Sequence, residues 1–156
     1  MTGYSLNIVY VLISNVTSSI LQGSDSFDFS SLSILPLVVY SNVDKQKESI
    51  VKENINKSGV YKWINNTNGN SYVGSSVNLS KRLLEYLNTN YLLRHKNMSI
   101  NKALLKYGYS DFSLLILEYC EPDLCIEREQ YYINLYKPEY NILKLAGSSL
   151  GYTHTE

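Results

Sequence analysis

The sequence predicts an α+β domain: a small central, mainly antiparallel three-stranded sheet flanked by helices, in the order β-β-α-α-β-α. Three observations predict it. Residues 59–65 and 71–75 are β-prone runs separated by the turn cluster Asn66, Thr67, Asn68, Gly69 and Asn70, the pattern of a hairpin. Residues 111–119 hold a continuous apolar stretch, as a central or well-covered strand requires. Segments 78–88, 98–107 and 122–136 read as helices.

The elements follow in chain order. Residues 4–21 are fairly apolar but interrupted by Asn and Ser, and the first charged side chain is Asp25. The run lacks the basic start of a signal peptide and the Arg-rich pattern of a transit peptide, and it is too polar for a membrane span. It reads as a tail, with the Ser-rich residues 22–33 as a linker. Residues 34–40 form a short extended run that Pro36 restricts to a sheet edge. Residues 44–55 form a short polar helix with Asp44 near its start. The compact domain begins near Ser58. Asn78 is placed to cap the first of its helices, Gly108 to end the second, and Pro138 to stop the third after Pro122 has opened it. The chain thus divides into an N-terminal tail and linker with a short strand and polar helix (1–57), the compact domain (58–145), and a C-terminal segment (146–156).

Composition excludes collagen, coiled coil and a disulfide scaffold. Cys120 and Cys125 are too few for a structural zinc site and read as two reduced thiols, as in a reducing compartment. The abundance of Asn, Ile, Tyr, Lys and Leu fits AT-rich codons. The formal net charge is zero, yet it is unevenly spread: residues 1–56 carry −2, residues 57–109 carry +7 and residues 110–156 carry −5. A block at +7 attracts a polyanion whatever the overall balance.

At 100° per residue, Cys125, Glu129, Tyr132, Ile133 and Tyr136 share one face of the last helix, while Glu127 lies opposite. Glu129 is therefore a carboxylate on an inward stripe, where an unpaired charge is expensive. Its partner is either an arginine or tyrosine hydroxyl in a structural network, or a metal ion such as magnesium. Arg82 and Tyr86 stand one turn apart. Arg82 is able to meet phosphate with its planar fork, or to pair with Glu85 at the surface. Tyr61 and Trp63 point to one face of the first hairpin strand, and Val60, Lys62 and Ile64 to the other. A phenol beside a metal and a cation has its pKa lowered and then orients or deprotonates water.

Gly59-Val60-Tyr61 followed by Tyr72-Val73-Gly74 resembles the paired signature of the GIY-YIG nucleases, with Val for Ile in both. Further matches follow in order: Asn78 to Arg82, Ser99 to Leu104 with Lys106-Tyr107-Gly108, Glu127-Arg128-Glu129, and Tyr140-Asn141-Ile142. The resemblance implies a DNA endonuclease that hydrolyses phosphodiester bonds with one divalent cation, Mg2+ or Mn2+. Carried onto this chain, it makes Tyr61 the general base or water-orienting phenol and Tyr72 a group that positions nucleophile or phosphate. Arg82 stabilises charge on phosphorus, Glu129 holds the metal, and Asn141 braces the site. Where many homing members have histidine one turn after the arginine, this chain has Tyr86, as repair-type members do, which leaves the proton relay open. Lys62, Lys81, Arg94, His95, Lys96 and Lys102 are the expected DNA contacts.

The flanks resemble homing endonucleases of fungal mitochondrial introns, and residues 146–156 resemble the start of a truncated C-terminal DNA-binding region. A mitochondrial, monomeric enzyme acting on DNA and not on membranes is the expectation. A non-catalytic nucleic-acid binder and a structure-specific repair nuclease are the alternatives.

Overall fold

The computed structural model describes residues 35–141. Its elements are β1 (Val38–Tyr40), α1 (Val43–Glu53), β2 (Gly59–Asn65), β3 (Ser71–Ser76), α2 (Leu79–Tyr86), α3 (Thr89–Arg94), α4 (Ser99–Tyr107), β4 (Phe112–Tyr119) and α5 (Cys125–Tyr136). The expected tail, linker and C-terminal DNA-binding segment lie outside the described residues. None of the described helices is long and apolar enough to cross a membrane.

The fold is α+β, but the sheet has four strands where three were expected. Their order is β1-β4-β2-β3, all antiparallel. The fourth strand is the extended run around Pro36. Leu37 N–H donates to Ile116 O at 2.8 Å and Val38 pairs with Ile116, so the run adds an edge strand to β4. Pro36, which has no N–H to give, lies just outside the paired residues, as an edge position permits. With β1 on one side and β2 on the other, β4 is central, in keeping with its apolar run.

The strand period of two sorts the side chains onto two faces. Tyr40, Tyr61, Trp63, Leu114 and Ile116 form a core with Val43 and Ile50 of α1, Leu79, Leu83 and Tyr86 of α2, Leu92 of α3 and Ile100 and Leu104 of α4. Val39, Val60, Val73, Leu115 and Leu117 pack on Tyr132 and Ile133 of α5. Residues 35–57 are thus part of the folded body. Its helix is fastened at the C-terminal end: Tyr40 Oη donates to Glu53 at 2.8 Å, and Tyr119 Oη to Asn54 Oδ1 at 2.9 Å.

The many asparagines have local work. Asn42, Asn78 and Asn88 each cap a helix by accepting a backbone N–H from its first turn. Asn88 creates the one helix the sequence did not foretell, α3. Six residues with Leu92 alone fully buried are too short to display a period. Gly108 follows α4 at φ 82°, and Lys137 ends α5 in the left-handed region at φ 47° just before Pro138.

Candidate active site

The two tyrosine motifs are partners across one hairpin. Tyr61 sits opposite Gly74, and Trp63 opposite Tyr72. The glycines serve close approach. A Cβ on Gly74 would lie 2.5 Å from Tyr61 Oη, so the phenol rests directly on the glycine backbone. A Cβ on Gly59 would run into the carbonyl of Glu118, next to the bulge in the β2–β4 register at Val60/Tyr61. We therefore expect Gly74→Ala to displace the Tyr61 ring and to cost about 1–3 kcal/mol of stability. A chemical-denaturation midpoint equal to the parent's would show that the ring has room to spare.

Helix α2 supplies the next two groups at i, i+4 spacing. Tyr86 is fully buried, and its hydroxyl lies 3.0 Å from that of Tyr61. Arg82 Nη2 donates to Tyr86 Oη at 3.3 Å, and its guanidinium lies 4.6 Å from the Tyr86 ring centre. The Nη1 group donates to Glu85 Oε2 at 2.9 Å and to Tyr91 Oη at 3.0 Å. With 23% of the Arg82 side chain exposed, the guanidinium is anchored from behind and still reaches solvent. Arg82 pairs with Glu85, as one of its two readings expected, and it also joins the tyrosine cluster. Tyr91 was not singled out in the sequence. It stands on the unforeseen α3, and nothing in its spacing links it to Arg82.

Helix α5 approaches from the other face of the sheet and packs along β2 and the edge strand β3. Its Glu127-Arg128-Glu129 triplet divides as the helical face argument required. Glu127 is exposed. Arg128 turns to Glu118, with Nε and Nη2 at 2.8–3.0 Å from its carboxylate, which also accepts from Tyr132 Oη at 3.0 Å. Glu129 is half-buried, and its charge reaches the Tyr72 phenol. Tyr72 on the edge strand thus feels the charges of both Arg82 and Glu129.

Burial dominates the electrostatics of both phenols. Burial pushes the Tyr61 pKa well above its ordinary value, the neighbouring Tyr86 adds to this, and the Arg82 charge opposes it without winning. Tyr72 is likewise raised, first by burial, then by Tyr86, with Arg82 opposing and Glu129 reinforcing. Both are neutral phenols at rest rather than acidified ones. Burial disfavours the Arg82 charge, but the oxygens around it, Tyr86 first, outweigh that and keep it cationic.

Asn141 braces the edge strand β3. Its Oδ1 accepts Val73 N–H at 2.9 Å and its Nδ2 donates to Val73 O at 2.9 Å, so the side chain replaces a missing neighbour strand at the middle residue of Tyr72-Val73-Gly74. Glu139 accepts Ser71 N–H at 2.7 Å on the same edge. Asn141→Ala strands two backbone groups. The expected loss is about 1–3 kcal/mol, read as a lowered urea midpoint, with Asn141→Asp recovering only the N–H bond.

The expected DNA contacts are not brought to one place. Lys62 is turned to the α5 face, its ammonium 3.6 Å from the Tyr136 ring centre, and burial lowers its pKa to about 8. Lys81 is exposed on α2. His95 stacks on Tyr91 with ring centres 4.3 Å apart, which joins it through Tyr91 to Arg82. Arg94, Lys96 and Lys102 are exposed around the α3–α4 turn. Cys120 and Cys125 are free thiols, 3.6 Å apart.

The site thus combines a buried tyrosine pair, an anchored arginine and a half-buried glutamate on α5. The chain belongs to the GIY-YIG family: residues 57–141 match its catalytic domain. It is 32% identical to probable intron-encoded endonuclease 1 of Neurospora crassa over 99% of this chain and 54% of that protein. It is also 32% identical to probable intron-encoded endonuclease bI1 of the same fungus, over 81% of this chain and 30% of that protein. Intron-associated endonuclease 1 of Enterobacteria phage T4 is 31% identical over 62% of this chain and 40% of its own length. Among solved structures, the catalytic domain of intron endonuclease I-TevI aligns at 29% identity with a TM-score of 0.47, covering 58% of this chain and 97% of that one. The chain therefore spans about half, or less, of the curated relatives it matches.

Proposed function

We propose that this chain is the cutting domain of an intron homing endonuclease, hydrolysing DNA phosphodiester bonds with the help of a divalent metal. The observation that carries the reading is the hydrogen-bonded set Tyr61–Tyr86–Arg82 with Tyr72 beside it and Glu129 in electrostatic reach. The names of the relatives, all intron endonucleases, support the homing context, and the expectation of a mitochondrial origin rests on the same likeness.

The residues fit a lightly held metal. Among the described residues no three His, Cys, Asp or Glu side chains group as a cage. A single carboxylate suits magnesium, which keeps several waters and shares substrate phosphate. Glu129 would hold it, and the ion would supply Lewis-acid polarisation of the phosphate and a more acidic water. The chain's own groups do the rest. Water attacks phosphorus in line as it gives up a proton to the surrounding solvent, the P–O bond opposite breaks, and the leaving oxygen takes up a proton from solvent. Tyr72 and Tyr61, neutral phenols both, orient the water and phosphate by hydrogen bonds rather than starting as bases. Arg82 offsets charge on the non-bridging oxygens.

Supercoiled plasmid cleavage tests the reading. Nicked or linear product is expected with magnesium and none with EDTA. Binding without turnover across several divalent metals would instead favour a non-catalytic binder, and preferential cutting of branched over linear duplex a repair nuclease.

A further inference from the structure

Residues 86–110 contain Arg94, Lys96, Lys102 and Lys106, together with His95, and no acidic residue. Folding gathers three of these cations. A cavity of about 550 Å³ lies where the α3–α4 turn meets α4, lined by Lys96, Asn97, Lys102, Leu105 and Lys106. Lys102 and Lys106 are one helical turn apart, so both ammoniums serve the same wall. All three lysines are exposed, and none is in an ion pair among the described residues. The first turn of α4 has no side-chain cap, which leaves backbone N–H groups directed towards this end. Three like charges around one concavity repel one another, and a bound anion reverses that cost.

A chain of contacts runs from the arginine site to residues next to the groove. Arg82 donates to Tyr91, Tyr91 stacks on His95, and the fully buried Asn101 donates to His95 O at 3.0 Å while standing next to Lys102 in α4. We propose that the Lys96/Lys102/Lys106 groove is an anchoring site for the sugar–phosphate backbone of duplex DNA, gripping phosphates beside the one presented to Arg82. It takes DNA as the partner from the nuclease reading, gathers the expected contacts Lys96 and Lys102 with Lys106, and makes them a second point of attachment apart from Arg82. Lys106 in particular joins the set only through the fold.

The test compares two triple variants of the full chain. One carries Lys96→Ala, Lys102→Ala and Lys106→Ala. The other removes the same charge from exposed lysines on and just after α1, through Lys45→Ala, Lys52→Ala and Lys57→Ala. Binding to a labelled duplex is titrated at several salt concentrations. Each phosphate left without its lysine lowers the slope of log K against log salt by about 0.9, so the groove variant should drop by about 2–3 in slope and the control by close to none. In cleavage, the groove variant should show a higher KM with kcat unchanged at saturating DNA. Equal slopes for groove variant and parent, equal drops in both triple variants, absence of DNA binding by the parent, or displacement of DNA by RNA at far lower concentration would each overturn the proposal. Parent protein that binds with the expected slope but never cuts leaves the groove standing and removes the nuclease reading.

Discussion

Glu129→Ala is expected to reduce magnesium-supported DNA cleavage by about 10³-fold or more, the largest effect of any single change in this chain. A metal ion contributes several kcal/mol of charge stabilisation to phosphoryl chemistry, and each 1.36 kcal/mol is tenfold in rate. Glu129 is half-buried on the stripe that also holds Tyr132 and Ile133, so its loss removes a hard oxygen donor from beside Tyr72 while leaving the apolar packing of α5 in place. The isosteric Glu129→Gln separates charge from shape. It keeps the volume, and it should be nearly as inactive. Glu127→Ala, on the exposed side of the same helix, should cut like the parent. The metal assignment fails if Glu129→Ala turns over plasmid as fast as the parent, or if Glu127→Ala loses activity and Glu129→Ala does not.

Arg82→Ala comes second, with an expected fall in cleavage of about 10²–10³-fold, the range for removing one preorganised charge-stabilising donor. Arg82→Lys should recover little of it. Lysine presents a point charge and cannot keep Glu85, Tyr91 and Tyr86 engaged while offering a planar edge to phosphate. The guanidinium is held through Nη1 by Glu85 and Tyr91, and that hold leaves a different signature. Tyr91→Phe removes a tether without removing the charge, so a smaller loss confined to kcat is expected. A rise in KM with kcat intact for Arg82→Ala would mean that Arg82 binds ground-state DNA and does not act on the developing charge. Arg82 also braces Tyr86, so a denaturation curve should accompany the kinetics and show a deficit of no more than about 1–3 kcal/mol.

The neutral state of the two phenols is a point where local logic and structure part. A tyrosine beside an arginine would be acidified if the pair stood in water-like surroundings. Tyr61 is 1% exposed and Tyr86 is fully buried, and desolvation of a phenolate outweighs the Arg82 charge at that depth. The hairpin itself was legible, because alternation and the Asn/Gly turn are local. So were the caps at Asn78 and Gly108 and the inward position of Glu129, each fixed by the period of one helix.

Less was legible where the decisive neighbour is far along the chain. The run around Pro36 reads as a short edge strand with no partner in view; that partner, Ile116, lies some 78 residues away in the register. Lys62 reads as one cation among eight in a basic block, yet its neighbours are Tyr136 and the apolar face under α5. Gly74 reads as a motif letter until Tyr61 is seen lying on it.

The family, the α+β class and the hairpin were already readable in the sequence, and it named Tyr61, Tyr72, Arg82, Glu129 and Asn141 as candidates. These rest on short-range order: strand alternation, helix period, turn chemistry and the succession of motifs. Folding alone brings Tyr86 between Tyr61 and Arg82, sets Tyr91 against the arginine, buries the phenols so that their pKa rises, and places three lysines around one groove. Each of those depends on which surfaces are removed from water together. That is set by packing between elements distant in the chain, and no window of the sequence contains it.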